Sequence, residues 1–215
     1  MPTNQRSERS EIRCRETQHG EVQPQTKQQI RTAVRASRAA RSAAARQQTR
    51  DQLTAQLISL SVQRNAKAVS CYFPTPNEPD TTGFTAWART NSIDVFLPVA
   101  RKDRNLDWAR LSEAGTAGGL HGIQEPVGER LPAQILGQLD LLIIPACAVD
   151  EQGMRLGWGL GYYDRLLATL DTLPPVFAVI HDDELLAHIP ADTHDIPVHG
   201  VITPTQTRLF SNYAG

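Results

Sequence analysis

Residues 156–165 read LGWGLGYYDR, and no other run in the chain concentrates as much potential chemistry. Alternating glycines at 157, 159 and 161 tolerate positive φ. They let successive backbone N–H groups converge into a concavity suited to anionic oxygens. A helix starting near Gly161 would add its own free N–H groups and partial positive charge. A dinucleotide fingerprint requires G-x-G-x-x-G directly after a strand; here the spacing is G-x-G-x-G, with Tyr162 where the last glycine would fall. The Walker sequence G-K-[ST] is absent. Two readings stay open on the glycines alone: a bare turn capping a helix, or an anion cradle. Asp164 compensates the helix dipole or ligates Mg²⁺ beside cradled phosphates.

Other reactive side chains form no independent centre. Cys14, Cys71 and Cys147 are odd in number and widely spaced, which fits reduced thiols in a cytosol rather than a zinc site or a disulfide framework. Cys147 reads as a small core hydrophobe. The histidines show no metal-binding spacing; His181 stands at the edge of a candidate site and His194 beside Asp195 reads as a surface neighbour. No protein nucleophile stands out.

Charge is unevenly distributed along the 215 residues. Residues 1–50 hold eleven Lys/Arg and four Asp/Glu, a balance of 11 − 4 = +7, so the remainder carries −8 of the net −1. A basic segment on an acidic body favours an anionic partner, either nucleic acid or a nucleotide bound against the body. The base-stacking aromatics of a single-strand binder are missing from that segment, which favours the nucleotide. No apolar run is long enough to span a bilayer, and the N-terminus lacks the apolar region of a secretory signal.

These groups need elements to position them. Residues 1–24 are polar and read as a disordered extension, leaving one α/β domain over 25–215. From Thr26 to Gln48 the Ala/Arg/Gln-rich chain predicts a helix. Lys27, Arg31, Arg35 and Arg38 lie along one face of it, beside a weakly apolar face of Ile30, Ala33, Val34 and Ser37. A second helix carries Leu53, Leu57 and Leu60. Strands are predicted at 67–73, 93–99, 139–149, 176–180 and 199–203, the last in the chain. Helices are predicted at 82–90, from Gly161 onward, and briefly within DDELLAHI; the Gly-rich region 101–123 reads as a short hairpin. Alternating strands and helices imply a three-layer α/β/α sandwich with a mostly parallel sheet. The glycine loop then lies beyond the carboxyl end of a strand, where such sheets bind ligands.

The run PACAVDEQGMRLGWGLGYYDRLL resembles the signature of the 5-formyltetrahydrofolate cyclo-ligase family, the 5,10-methenyltetrahydrofolate synthetases. Further matching pieces occur in order: K-x-x-[IL]-R at 27–31, N-E-P-D-T at 77–81 after a strand ending in an aromatic, L-P-V at 97–99, G-I-Q-E-P at 122–126 and H-D-I-P-V at 194–198. The resemblance covers about residues 25–207. It implies a cytoplasmic, monomeric enzyme that closes 5-formyltetrahydrofolate to 5,10-methenyltetrahydrofolate, with ATP as co-substrate and Mg²⁺ as cofactor, and with neither nucleic acid nor membrane as partner.

On the same resemblance Lys27, Arg31 and Arg155 hold ATP phosphates, and the cradle runs through Leu156, Gly157, Trp158, Gly159, Leu160, Gly161, Tyr162 and Tyr163. Phe73, Glu78, Trp158 and Tyr162 contact the folate, with Glu78 accepting paired N–H bonds from the pterin. Asp164 and Asp195 are the magnesium carboxylates. Glu125 reads as a turn residue outside the site. The chain departs from the family pattern at Trp158, where Arg is usual, at Leu160, where Gly or Lys is usual, and at His199, where Asp is frequent. Arg165 or a base of the first helix compensates for the missing cation, or Trp158 stacks on folate or adenine. The competing reading is a non-catalytic folate- or nucleotide-binding relative in which these changes mark lost ATP chemistry.

Overall fold

A computed structural model describes residues 25–120, 124–192 and 195–211. The extension expected at 1–24 lies outside these, as do Cys14, His19, His121 and His194.

The chain enters through helix α1 (Lys27–Ala40), started by a capping box in which Thr26 Oγ1 accepts the Gln29 N–H and the Gln29 side chain accepts the Thr26 N–H. Helix α2 (Ala43–Gln63) follows after a break at Arg41 and Ser42, where the sequence predicts unbroken helix. Arg41 is extended, Ser42 caps α2, and the Arg46 guanidinium donates to the carbonyls of Arg38 and Arg41. The strong helix propensity is thus overridden by a cap and by a base that satisfies the freed carbonyls.

The central sheet has seven strands in the order β12-β11-β9-β6-β1-β2-β3. They are β1 (Ala68–Ser70), β2 (Asp94–Ala100), β3 (Leu106–Arg110), β6 (Leu141–Pro145), β9 (Val176–Val179), β11 (Gly200–Ile202) and β12 (Thr207–Leu209). Pairings from β2 through β1, β6 and β9 to β11 are parallel, and the two edges, β3 and β12, are antiparallel. Side chains divide by the period of two: Leu141 and Ile143 face α2 and helix α3 (Thr82–Thr90), whereas Leu142 and Ile144 face helix α4 (Tyr162–Ala168) and a 3-10 turn (Ala133–Gln138). The α/β/α sandwich is therefore as the sequence predicts.

Three expectations change. The apolar run 139–149 is not one strand: β6 ends at Pro145, and β7 (Ala148–Asp150) leaves the main sheet to pair with β8 (Arg155–Leu156) and β10 (Leu185–Leu186). Hydrogen bonding explains the exit. The Ala146 carbonyl accepts from Arg38 Nη2 (2.9 Å), and the Cys147 N–H donates to the Leu156 carbonyl (2.7 Å). The short helix expected in DDELLAHI shrinks to a 3-10 turn (Asp182–Glu184) followed by β10. Finally, β11 is not the last strand, because β12 folds back on it as a three-residue edge too short to carry a periodic signal. The Gly-rich region gives β3, antiparallel to β2, and a separate pair, β4 (Thr116–Gly118) with β5 (Gln124–Pro126).

Helix α1 packs on the small sheet rather than on the large one. Ile30 and Val34 are buried against Cys147, Ala148, Leu156 and Ile189. Arg38 continues this buried face one turn further and is 1% exposed, so it is not part of a solvated basic stripe. Spacing of i, i+4, i+8 puts it in register with Ile30 and Val34 as well as with the bases. Its partner, Glu184, is equally buried and lies beyond β9, 146 residues away.

Candidate functional site

Strands β1 and β6 are neighbours from which the chain departs in opposite directions, β1 leading toward β2 and β6 toward β9. A crevice opens at their carboxyl ends, as expected at such a switch point. It encloses about 960 Å³ open to solvent. Phe73 and Glu78 come from the loop after β1, Pro98 and Ala100 from β2, Pro145 from the end of β6, and Tyr162, Tyr163 and Asp164 from α4.

The glycine loop is held by the hairpin of β7 and β8. Asp150 is buried at its turn: Oδ1 accepts N–H groups from Gln152 and Met154, and Oδ2 accepts that of Ile189. Gly153 takes φ +86 there, with the Val198 carbonyl 2.8 Å from where a Cβ would sit. Leu156, expected in the cradle, is buried against α1, and its backbone anchors the loop. Gly159 (φ +98) and Gly161 (φ +68) use the left-handed freedom that their types suggested, Gly161 serving as N-cap of α4. Arg31 Nε donates to the Gly157 carbonyl (2.8 Å), tying α1 to the loop.

Two ion pairs flank the loop. Arg155, with its side chain 2% exposed, pairs with Asp164, and its guanidinium lies 5.9 Å from the Tyr163 ring. Lys27 Nζ reaches Asp195 Oδ2 and Asp192 Oδ2, each at 2.6 Å. Burial works to lower the Lys27 pKa, but the bonds to Asp192 and Asp195 reverse this and leave it raised, so Lys27 stays charged. The crevice contains Phe73, Glu78, Arg155, Gly157, Trp158, Leu160, Gly161, Tyr162, Tyr163 and Asp164 from the expected set, whereas Lys27, Arg31, Leu156, Gly159 and Asp195 lie outside its lining. Tyr72 and Tyr163 both line the crevice, and burial pushes both hydroxyls above their ordinary pKa, so they remain neutral.

Glu78 is partly buried, with Oε2 fixed by the Thr75 N–H (2.8 Å). Glu125, read as a turn residue from sequence, instead sits on β5, is 8% exposed and lines the same crevice. Its Oε1 accepts the Ala100 N–H (3.1 Å), and a Cβ at Gly119 would collide with its carboxylate. Its Oε2 lies 3.5 Å from Arg130 Nη2, and a carboxylate held this way in the lining of a largely apolar cleft belongs with the site. The acid before a proline, within the G-I-Q-E-P piece that matches the family, is the signal that could have found it.

At the departures from the family pattern, Trp158 carries the guanidinium carbons of Arg35 and Arg38 at 5.2 and 5.0 Å from its ring. Arg165 donates to the carbonyls of Arg104 and Leu160 and lies over Tyr162. Leu160 is an exposed part of the lining. His199, well back from the loop, accepts the Val176 N–H through Nδ1 (2.6 Å), and burial lowers its pKa. Among the described bases of the N-terminal segment, Lys27, Arg38, Arg41 and Arg50 pair with Asp195, Glu184, Asp183 and Asp80.

Among the described residues no group of three or more His, Cys, Asp or Glu side chains is arranged to hold a metal, and no helix is long and apolar enough to cross a membrane. The carboxylates at the loop suit a hard divalent ion that takes one or two protein oxygens and completes its shell with phosphate and water. They do not suit a closed zinc cage.

Comparison with known proteins agrees with this geometry. A model of the 5-formyltetrahydrofolate cyclo-ligase family matches residues 23–204. A 5-formyltetrahydrofolate cyclo-ligase of Mycolicibacterium smegmatis is 35% identical over 188 residues, covering 85% of this chain and 96% of the relative. One from Haemophilus influenzae is 31% identical over 186 residues, covering 83% and 97%. The solved structure of Aquifex aeolicus 5,10-methenyltetrahydrofolate synthetase superposes with a TM-score of 0.74 at 29% identity, over 88% of this chain and 95% of that one. With its signature loop, its crevice and nearly its whole length accounted for, the chain belongs to the 5-formyltetrahydrofolate cyclo-ligase family.

Proposed function

We propose that this protein closes 5-formyltetrahydrofolate to 5,10-methenyltetrahydrofolate, converting ATP to ADP and phosphate. One observation carries the reading: Glu78 and the glycine loop, distant in sequence, line a single crevice together with Asp164. That is the arrangement needed to bring a folate formyl group against a nucleotide's terminal phosphate.

A formamide oxygen is a poor leaving group. In the proposed reaction it attacks the γ-phosphorus of ATP, and ADP departs. N10 of the folate then adds to the activated formyl carbon, phosphate leaves with that oxygen, and N10 gives up its proton. The protein's task is alignment and charge neutralisation, as in other phosphoryl transfers. Glu78, fixed through one oxygen by Thr75, accepts N–H groups of the pterin through the other. Phe73 and Tyr162 supply apolar walls, and the loop from Gly157 to Gly161 receives the phosphates with Arg31 and Arg155 behind it. Asp164 and Asp195 are the residues that would hold Mg²⁺, which when bound supplies neutralisation of phosphate charge. Each is paired with a base, Arg155 or Lys27, so the same exchange that frees the carboxylates frees the bases for phosphate.

Incubating the purified protein with 5-formyltetrahydrofolate, Mg²⁺ and ATP tests this reading. The methenyl product absorbs at the edge of the visible range, and the expected result is absorbance that grows only when ATP is present. Tight folate binding with no ATP-dependent absorbance would overturn the catalytic reading and leave a binding protein.

A further inference from the structure

The glycine loop lacks a cation of its own at Trp158 and Leu160, and most bases around it are already engaged. Arg155 is held by Asp164, Lys27 by Asp192 and Asp195, and Arg38 by Glu184, while Arg165 donates to two backbone carbonyls. Arg31 lies at the loop itself, with Nε on the Gly157 carbonyl and its guanidinium carbon 3.7 Å from where a Cβ on Gly159 would sit. One turn further along α1 stands Arg35. It is exposed, and among the described residues it has neither a carboxylate within ion-pair distance nor a hydrogen bond. Its guanidinium carbon lies 5.2 Å from the centroid of the Trp158 indole.

We propose that Trp158 is a platform that holds Arg35 at the rim of the glycine loop, and that Arg35 binds the phosphates of the nucleotide there. The inference rests on the ATP-dependent reading above. A guanidinium against an aromatic face is partly immobilised by cation–π attraction, yet keeps its N–H edge available for oxyanions. An unpaired arginine surrenders no ion pair when phosphate arrives, unlike Lys27 or Arg155. Arg31 and Arg35, at i and i+4 on one helix face, then flank the loop from Gly157 to Gly159 with two charges that no acid among the described residues pairs with. On this view the aromatic at 158 relocates the positive charge to the neighbouring helix.

Equilibrium titration of the full chain tests the proposal, using a non-hydrolysable ATP analogue with Mg²⁺, adenosine, and 5-formyltetrahydrofolate as separate ligands. Arg35→Gln is expected to weaken the ATP analogue by about tenfold, the scale of one charge-assisted hydrogen bond at a solvated position. Affinity for adenosine and for the folate is expected to stay at the wild-type value. Arg35→Lys should recover part of the loss, and Trp158→Leu should cost less in the Arg35→Gln background than in the wild type, because the ring then carries only Arg38, which Glu184 already holds. Unchanged affinity of Arg35→Gln for the ATP analogue would overturn the proposal. So would a loss confined to the folate, which would assign the guanidinium to a substrate carboxylate, or an equal loss for adenosine, which would mean a general disturbance of the loop. If the wild-type protein binds folate but no nucleotide, it is the ATP-dependent reading itself that fails, and Arg35 loses its role with it.

Discussion

Replacing Arg38 by Met should be the most damaging single change to α1, although Arg38 does not line the crevice. Its guanidinium makes a bidentate pair with Glu184, Nε to Oε1 and Nη2 to Oε2 at 2.7 Å each, and Nη2 also serves the Ala146 carbonyl. Both side chains are 1% exposed. Met fills much of the volume but strands a buried carboxylate, and breaking such a pair from one side costs about 3–5 kcal/mol. For a chain of this length about 1 kcal/mol moves Tm by about 2–4 °C, so the expected fall is about 6–20 °C. Thermal unfolding of Arg38→Met beside Arg38→Met/Glu184→Gln measures it. The double variant should recover most of the loss, since the neutral amide can still accept the His181 N–H that Glu184 Oε2 accepts (2.8 Å). With its partner gone, Glu184 has a folded-state pKa raised by burial above its unfolded value. The deficit of the single variant should therefore shrink as pH falls through that raised pKa. A single variant no less stable than the double one, or a deficit that does not respond to pH, would refute the claim that a stranded charge sets the cost.

Three further outcomes are expected. Asp164→Asn should lower turnover by about two orders of magnitude, the scale of misaligned phosphoryl chemistry, with an unchanged far-ultraviolet circular dichroism spectrum; near-normal turnover would remove Asp164 from the site. Gly161→Ala should cost about 1–2 kcal/mol for its left-handed φ of +68, with little added by Arg165 Nη1, the mobile end of its side chain, 2.8 Å from the new Cβ. Gly115→Ala, at φ +76 in open space, isolates the backbone part, and a much larger loss of Tm for Gly161→Ala than for Gly115→Ala would refute this. His181 is buried beside Arg41 and Arg38, and burial first, then those charges, lower its pKa from 6.5 to about 4. The unfolded chain thus binds the proton first, so stability should fall as pH drops from about 6.5 to about 4, by up to about 3 kcal/mol. His199 acts in the same direction, so His181→Gln should flatten that slope in urea titrations without abolishing it.

The legible parts of the site were those whose chemistry is local. Gly159 and Gly161 adopt the positive φ that their types permit, and Asp164 occupies the first turn of α4, because backbone conformation and helix phase are written within a few residues. The layered fold was legible for a similar reason, since Leu141 to Ile144 alternate between two cores on opposite sheet faces. What escaped depends on partners far along the chain. Arg38 has the spacing of a surface stripe and of a buried stripe at once, and only Glu184 decides between them. Glu125 resembles any acid in a turn until the Ala100 N–H on β2 fixes its carboxylate. The exit of β7 from the main sheet is invisible in a continuous apolar run, because it is set by what Ala146 and Cys147 bond to and not by how apolar they are.

The same long-range partners explain why α1 matters to a loop more than 110 residues away. Ile30 and Val34 bury one face of the helix on β7 and β8, and Arg38 fastens its far end, so Arg31 meets Gly157 and Arg35 meets Trp158 without a flexible tether between them. Around that rigid contact acids and bases stand in salt bridges, Lys27 with both Asp192 and Asp195 and Arg155 with Asp164. A free polyanion is attracted to the bases but repelled by the acids, and a free divalent cation meets the converse. A ligand that brings both charges together satisfies acids and bases alike. On the proposed function the pairing would favour a metal–nucleotide complex over either component alone, with Arg31 and Arg35, which no acid among the described residues pairs with, supplying the attraction toward the loop.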